Sequence, residues 1–182
     1  MGKRSDFERR PLDKYPTPEA AVLPLLEHLD PATSFEEPCA GNGDLIRHLE
    51  KFGHRCISAT DIGNPSVPVD ARSIETCSAE YFITNPPWQR DIMHDIIENL
   101  SKIRPCWFLI DADWMHTKQS APYMKYCRQI VSVGRVKWIP DSKQTGKDNV
   151  AWYLFNSKKR RWPFHRLDGT TTFHARVADD PR

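Results

Sequence analysis

Apolar positions along the chain switch repeatedly between a strand period and a helix period. Val22, Leu25, Leu26 and Leu29 share one face of a predicted helix that Thr17-Pro18-Glu19 starts, with Thr17 as N-cap and proline at the first helical position. Pro24 is expected to kink that helix or delay its regular part. Residues 33–37 read as a first strand, followed by Pro38-Cys39-Ala40-Gly41-Asn42-Gly43. Residues 44–52 have helical spacing through Leu45, Ile46 and Leu49, and Gly53 stops them. A second strand over 55–60 ends at Asp61, 63–68 is a loop, and Val69-Asp70 is the remnant of a third strand. Residues 80–84 form a strand that must stop at Asn85-Pro86-Pro87, because consecutive prolines cannot continue a ladder.

Ile92, Ile96, Ile97 and Leu100 predict an amphipathic helix over 91–102. A buried strand over 106–110 follows, then a helix over 112–128 that Pro122 interrupts. Two strands, 130–139 and 149–155, flank the polar loop 140–148. Strands alternating with helices imply an α/β fold, a doubly wound and mostly parallel sheet covered on both faces. The short connection between the last two strands makes them an antiparallel hairpin, so one strand is reversed.

Length and composition fit one soluble globular domain: 182 residues, 39% hydrophobic and 27% charged. No apolar run approaches the roughly 18–20 residues of a membrane span, and the first residues lack the apolar stretch of a signal peptide. The five cysteines, at 39, 56, 77, 106 and 127, contain no C-x-x-C pair. Reduced thiols in a cytoplasmic protein are expected, with neither a disulfide frame nor a metal site. Charge is uneven: residues 1–14 carry five Lys/Arg against three acids and 157–182 seven against three, so at a net +2 the stretch between is acidic. Basic ends suit a polyanion and equally suit solvated tails. The expected organisation is a flexible basic arm (1–12), a catalytic domain (13–156) and a basic tail (157–182).

The first strand-to-helix turn is a candidate ligand loop, because such sheets bind ligands at the carboxyl ends of their strands. Gly41 and Gly43 allow a tight turn and a close approach. Asp61, 18 residues past Gly43, stands where an acid commonly accepts hydrogen bonds from ribose hydroxyls. Position 46 is Ile, so the third glycine of a dinucleotide loop is missing, and Asp44 at the helix start would repel phosphate. An adenosine cofactor without phosphates fits better, and S-adenosylmethionine is the obvious one.

Asn85-Pro86-Pro87-Trp88 suggests the chemistry. An aromatic amine such as adenine N6 is a poor nucleophile, since its lone pair is delocalised into the ring. Two acceptors, the Asn85 side-chain oxygen and the Pro86 carbonyl, would engage its two hydrogens and turn the lone pair toward a methyl donor. Proline supplies a carbonyl, removes a competing N–H and fixes φ. Trp88 offers a face for a planar base, worth about 1–3 kcal/mol.

These residues resemble the amino-methyltransferase branch of class I S-adenosylmethionine-dependent methyltransferases, especially N6-adenine DNA methyltransferases with their D/N-P-P-aromatic motif. The resemblance implies a Rossmann-like sheet of the seven-stranded type, S-adenosylmethionine as cofactor and S-adenosylhomocysteine as product. It implies cofactor contacts from Tyr15, Thr17 and Pro18, from Glu37, Pro38, Cys39, Ala40, Gly41 and Gly43, and from Asp61, Asp70 and Asn85. Asn85, Pro86, Pro87 and Trp88 match the catalytic motif. Many DNA-acting members carry a separate recognition domain, for which this length leaves no room. Recognition is therefore expected from Trp88, the Gln89-Arg90 pair, Lys137-Trp138-Ile139 with the 140–148 loop and the basic tail, or from a partner chain or dimer. Arg90 could equally pair with an acid, whereas Trp114, His116 and Trp152 read as packing residues. The expected partner is nucleic acid, DNA before RNA, with no membrane and no metal. The alternatives are adenine in RNA, the glutamine amide of a protein, and an inactive cofactor-binding module.

Overall fold

Adjacent residues of the central strands divide between two apolar layers, and that division builds the molecule. A computed structural model describes residues 15–138, 148–158 and 173–174. The elements are α1 (Glu19–Leu26), β1 (Ser34–Glu37), α2 (Asp44–Lys51), β2 (Arg55–Ala59), β3 (Tyr81–Thr84), α3 (Arg90–Ile103), β4 (Cys106–Asp111), α4 (Ala121–Met124), β5 (Cys127–Arg135), β6 (Asn149–Phe155) and the two-residue β7 (Phe173–His174). Along β4, Cys106, Phe108 and Ile110 join Met93, Ile96, Ile97 and Leu100 of α3 on one face. Trp107 and Leu109 join Val22 and Leu25 of α1 and Leu45 and Leu49 of α2 on the other. This is why β4 reads as one continuous apolar run: both of its faces are covered.

The sheet order is β2-β1-β3-β4-β6-β5-β7. β1 to β4 are mutually parallel, while β6 lies antiparallel between β4 and β5. The expected hairpin with one reversed strand is therefore present, inserted into the sheet. β7 pairs in parallel with β5 from within the segment expected as a tail. Trp152 of β6 is fully buried and donates its indole N–H to the Ala21 carbonyl at 2.7 Å, tying α1 to the sheet.

Several expectations are corrected. Val69-Asp70 forms no strand, and β2 is the edge of the sheet. Asp70 instead caps a 3₁₀ turn over Ala71–Ser73 by accepting the Arg72 N–H at 2.9 Å. The helix expected over 112–128 breaks into 3₁₀ turns at Ala112–His116 and Lys118–Ser120 and the single turn of α4. Hydroxyl groups explain the break: Thr117 donates to the Trp114 carbonyl at 2.8 Å, and Ser120 to those of Met115 and Thr117. β5 consequently starts at Cys127, and it ends at Arg135, short of the expected 139. Pro18, not Thr17, occupies the N-cap position of α1. Residues 1–14, 139–147 and most of the tail lie outside the described residues. No described helix is long and apolar enough to cross a membrane.

Candidate functional site

Strand order decides which loops meet. The chain runs from β1 outward to β2 and then returns to β3 on the other side of β1, so the switch point lies between β1 and β3. The glycine loop after β1 and the Asn85 tetrapeptide after β3 are therefore neighbours, with Asp61 beyond β2 on the far side.

The glycine loop is held by its own hydrogen bonds. Ala40 N–H donates to the Thr60 carbonyl at 2.9 Å and Gly43 N–H to that of Ala40 at 2.7 Å. Asp61 accepts the N–H of Gly41 at 2.8 Å through one oxygen and that of Gly63 at 2.7 Å through the other. Gly41 and Gly43 have φ of +53° and +78°. A Cβ added at Gly41 would meet no protein atom within 4 Å, so left-handed backbone is the protein's own reason for glycine there.

A cavity of about 380 Å³ opens above the loop, within the usual range for a small-molecule site. Of the residues expected to hold a cofactor, Tyr15 and Thr17, Glu37 to Gly41, and Asp61, Asp70 and Asn85 line it. Pro18 and Gly43 lie outside the lining and serve as helix N-caps. Asn42, Asp44, Leu45, Arg72 and Gln89 also line it; Gln89 is expected from sequence as a recognition residue, and none of the five as a cofactor contact. For Asp44 and Leu45 a signal existed, since they directly continue the glycine loop. Arg72 carried none, because only the fold of the 3₁₀ turn brings it in.

Four carboxyl groups, those of Glu37, Asp44, Asp61 and Asp70, line the cavity. Glu37 is buried, and burial pushes its carboxyl up to about 8 although the Cys39 N–H donates to it at 3.0 Å. The hydroxyl of Thr84, fully buried beside it, has no partner of normal hydrogen-bond geometry. Asp70 is held below the ordinary carboxylate range by hydrogen bonds from Arg72, whose guanidinium grips it at 2.6–3.0 Å. Burial raises the Cys39 thiol far above its ordinary value, so that thiol is not a nucleophile.

At the tetrapeptide, the Asn85 side-chain N–H donates to the buried Thr17 hydroxyl at 3.1 Å. No hydrogen bond among the described residues engages its side-chain oxygen. Thr17 thus orients Asn85 instead of capping a helix. Pro86 is buried and Pro87 faces the cavity. Trp88 lies outside the cavity, and its indole N–H donates to the Leu109 carbonyl of β4 at 3.2 Å. Its ring meets Trp138 edge to face, with centroids 5.6 Å apart and planes at 88°. Trp138 also contacts Tyr15 at 6.5 Å. Lys137 is exposed. Arg90 lies 3.6 Å from Asp111 at the end of β4, an acid of a strand and not of a helix. Trp114 is buried and donates to His94 at 3.0 Å, and His116 is exposed.

No protein-family model and no curated protein matches the chain. Solved structures do. A "putative RNA methyltransferase" of Pyrococcus horikoshii superposes with a TM-score of 0.63 at 15% identity, over 85% of this chain and 93% of that one. The type I restriction-modification methyltransferase subunit of Streptococcus thermophilus gives 0.52 at 8% identity, over 81% and 45%. The 23S rRNA methyltransferase ErmE gives 0.50 at 16% identity, over 75% and 66%. What this chain shares with them is the Rossmann-like methyltransferase fold.

Proposed function

We propose that this chain transfers a methyl group from S-adenosylmethionine to the exocyclic N6 amino group of adenine in DNA. One observation carries the reading: the Asn85 amide, fixed through its N–H by Thr17, sits where the tetrapeptide meets a cavity rich in carboxyl groups.

The donor set suits that cofactor. Asp61 lines the cavity with a carboxylate of the kind that accepts ribose hydroxyls, and Asp70, its oxygens held by Arg72, lines the part assigned to the adenine. Asp44 and Asp61 supply the acidic surroundings that a sulfonium and an ammonium group favour and a phosphate does not. Residues 15–17 and the loop at 37–41 would hold the methionine portion. When bound, the cofactor supplies an electrophilic methyl group next to Asn85.

The remaining chemistry belongs to the chain. The Asn85 side-chain oxygen accepts one hydrogen of the target amine and the Pro86 carbonyl accepts the other. Both acceptors withdraw the hydrogens from the ring plane, localising the nitrogen lone pair and pointing it into the cavity. Charge that develops on nitrogen is stabilised by the same two oxygens, preorganised by Thr17 and by the fixed φ of proline. Placing the groups in this geometry supplies much of the rate without a strong base.

The test is to incubate the protein with labelled S-adenosylmethionine and duplex DNA, single-stranded DNA, RNA or a protein extract, then digest and identify the methylated product. N6-methyladenine is expected, and methylglutamine in its absence would refute the proposal. Asn85→Ala is expected to lower transfer at least 100-fold while leaving cofactor affinity, measured by calorimetry, within a few-fold.

A further inference from the structure

We infer that Arg72 sets the base selectivity of the cofactor site: its guanidinium occupies both oxygens of Asp70 and turns the adenine end of the cavity from an acceptor into a donor. This role for Arg72 rests on the S-adenosylmethionine reading above and adds to it which purine the site accepts.

A carboxylate offers two lone-pair sites on each oxygen, and one residue engages both oxygens of Asp70 twice. The first oxygen accepts the Arg72 backbone N–H at 2.9 Å and its Nε–H at 3.0 Å. The second accepts Nε–H at 3.0 Å and Nη2–H at 2.6 Å. Little acceptor capacity is left for an adenine amine. Nη1 lies 4.0 Å from an Asp95 oxygen, too far for a hydrogen bond. Among the described residues no hydrogen bond uses Nη1, so its N–H groups can serve a ligand in the cavity that Arg72 lines.

The clamp is built on a fixed turn. Asn99 of α3 donates its side-chain amide to the carbonyls of Ala71 at 3.2 Å and Ile74 at 2.8 Å. The Ser73 hydroxyl donates to the Asp70 carbonyl at 2.8 Å. Ala71 packs in one cluster with Ile92 and Ile96 of α3, which line the cavity as well. Arg72 therefore meets a ligand from a turn that α3 holds in place.

Donors at the purine edge change what fits. Adenine carries an amine at C6, whereas hypoxanthine carries a carbonyl there, and both have an acceptor at N7. An open carboxylate pairs with the amine and repels the carbonyl. A guanidinium donates to N7 of either base and to O6, as it does when it reads guanine.

The experiment is calorimetric titration of the full chain at neutral pH with S-adenosylhomocysteine and with S-inosylhomocysteine, which differ only at the base. Wild type is expected to bind the two within about three-fold of one another. Arg72→Met releases the Asp70 carboxylate and should open a preference for S-adenosylhomocysteine of roughly 10-fold or more. Arg72→Lys keeps a cation beside Asp70 without the planar fork and should fall between. Adding Asp70→Asn to Arg72→Met should erase the preference. A wild-type preference for S-adenosylhomocysteine of roughly 10-fold or more overturns the inference, as does an Arg72→Met protein that discriminates no better than wild type. If S-adenosylhomocysteine does not bind at all, the cofactor reading fails and the role of Arg72 falls with it. If it binds and only the selectivity is wrong, the role of Arg72 alone fails.

Discussion

Replacing Glu37 by glutamine tests the buried acid at the floor of the cavity. Glutamine has the same shape and still offers an oxygen to the Cys39 N–H. Burial raises the carboxyl from an ordinary 4.5 to about 8 in the folded chain. Below pH 4.5 both folded and unfolded chains are protonated there, and the acid carries no penalty. Between pH 4.5 and 8 the unfolded chain has released the proton while the folded chain keeps it. Stability therefore falls as pH rises, by about 1.4 kcal/mol per pH unit. Across the window the penalty amounts to about 5 kcal/mol, an amount comparable to the stability of an ordinary domain. Urea unfolding of wild type and Glu37→Gln at pH 5, 6.5, 8 and 9, without cofactor, isolates this group, because every other titration is common to both proteins. The variant should match wild type near pH 5 and gain steadily up to pH 8. A difference that stays flat with pH, or that turns against the variant at high pH, would refute the reasoning.

Three further outcomes are expected. Thr17→Val removes the acceptor that orients Asn85, and should lower kcat about 10-fold, the cost of roughly 1.4 kcal/mol of lost alignment; an unchanged kcat in a steady-state assay contradicts the role given to Thr17. Gly41→Ala forces a Cβ into φ +53° where protein atoms leave open space, so urea unfolding should show a loss of only about 1–2 kcal/mol. A far larger loss would mean that the space is not open. Trp152→Phe leaves the buried Ala21 carbonyl without its donor and should cost about 1–3 kcal/mol in the same assay.

The elements most legible in the sequence are those whose identity depends on burial. β4 and α3 announce themselves by a continuous apolar run and by Ile92, Ile96, Ile97 and Leu100 at helical spacing. Segments governed by local polar groups were misread. Around 112–128 the apolar spacing suits a helix, but the Asp111, Thr117 and Ser120 side chains satisfy nearby backbone groups and make shorter turns better. At Val69-Asp70 a β-branched residue promises a strand, yet Pro68 and the Asp70 cap commit the chain to a turn. The same logic applies to the site. The glycine loop, the tetrapeptide and the Gln89-Arg90 pair after it stand at strand ends and so are visible, whereas Arg72 enters the cavity only through the path of the backbone. Thr17 reads from sequence as both a helix cap and a site residue, and only the cap reading fails, because one hydroxyl can serve a helix or a neighbour and the tertiary contact decides.

The hydrogen bond from Trp152 to Ala21 spans 131 positions of the chain. On a ribosome, α1 emerges long before the strand that fastens it. Until β6 is threaded between β4 and β5, α1 lacks its anchor, and the adjoining Thr17 has no firm hold on Asn85. The cavity is thus completed only once β6 has been made, so a nascent chain truncated before residue 149 should have the glycine loop without an assembled cavity. The two halves of the cavity are joined by the β5–β6 hairpin, and folding itself serves as the checkpoint.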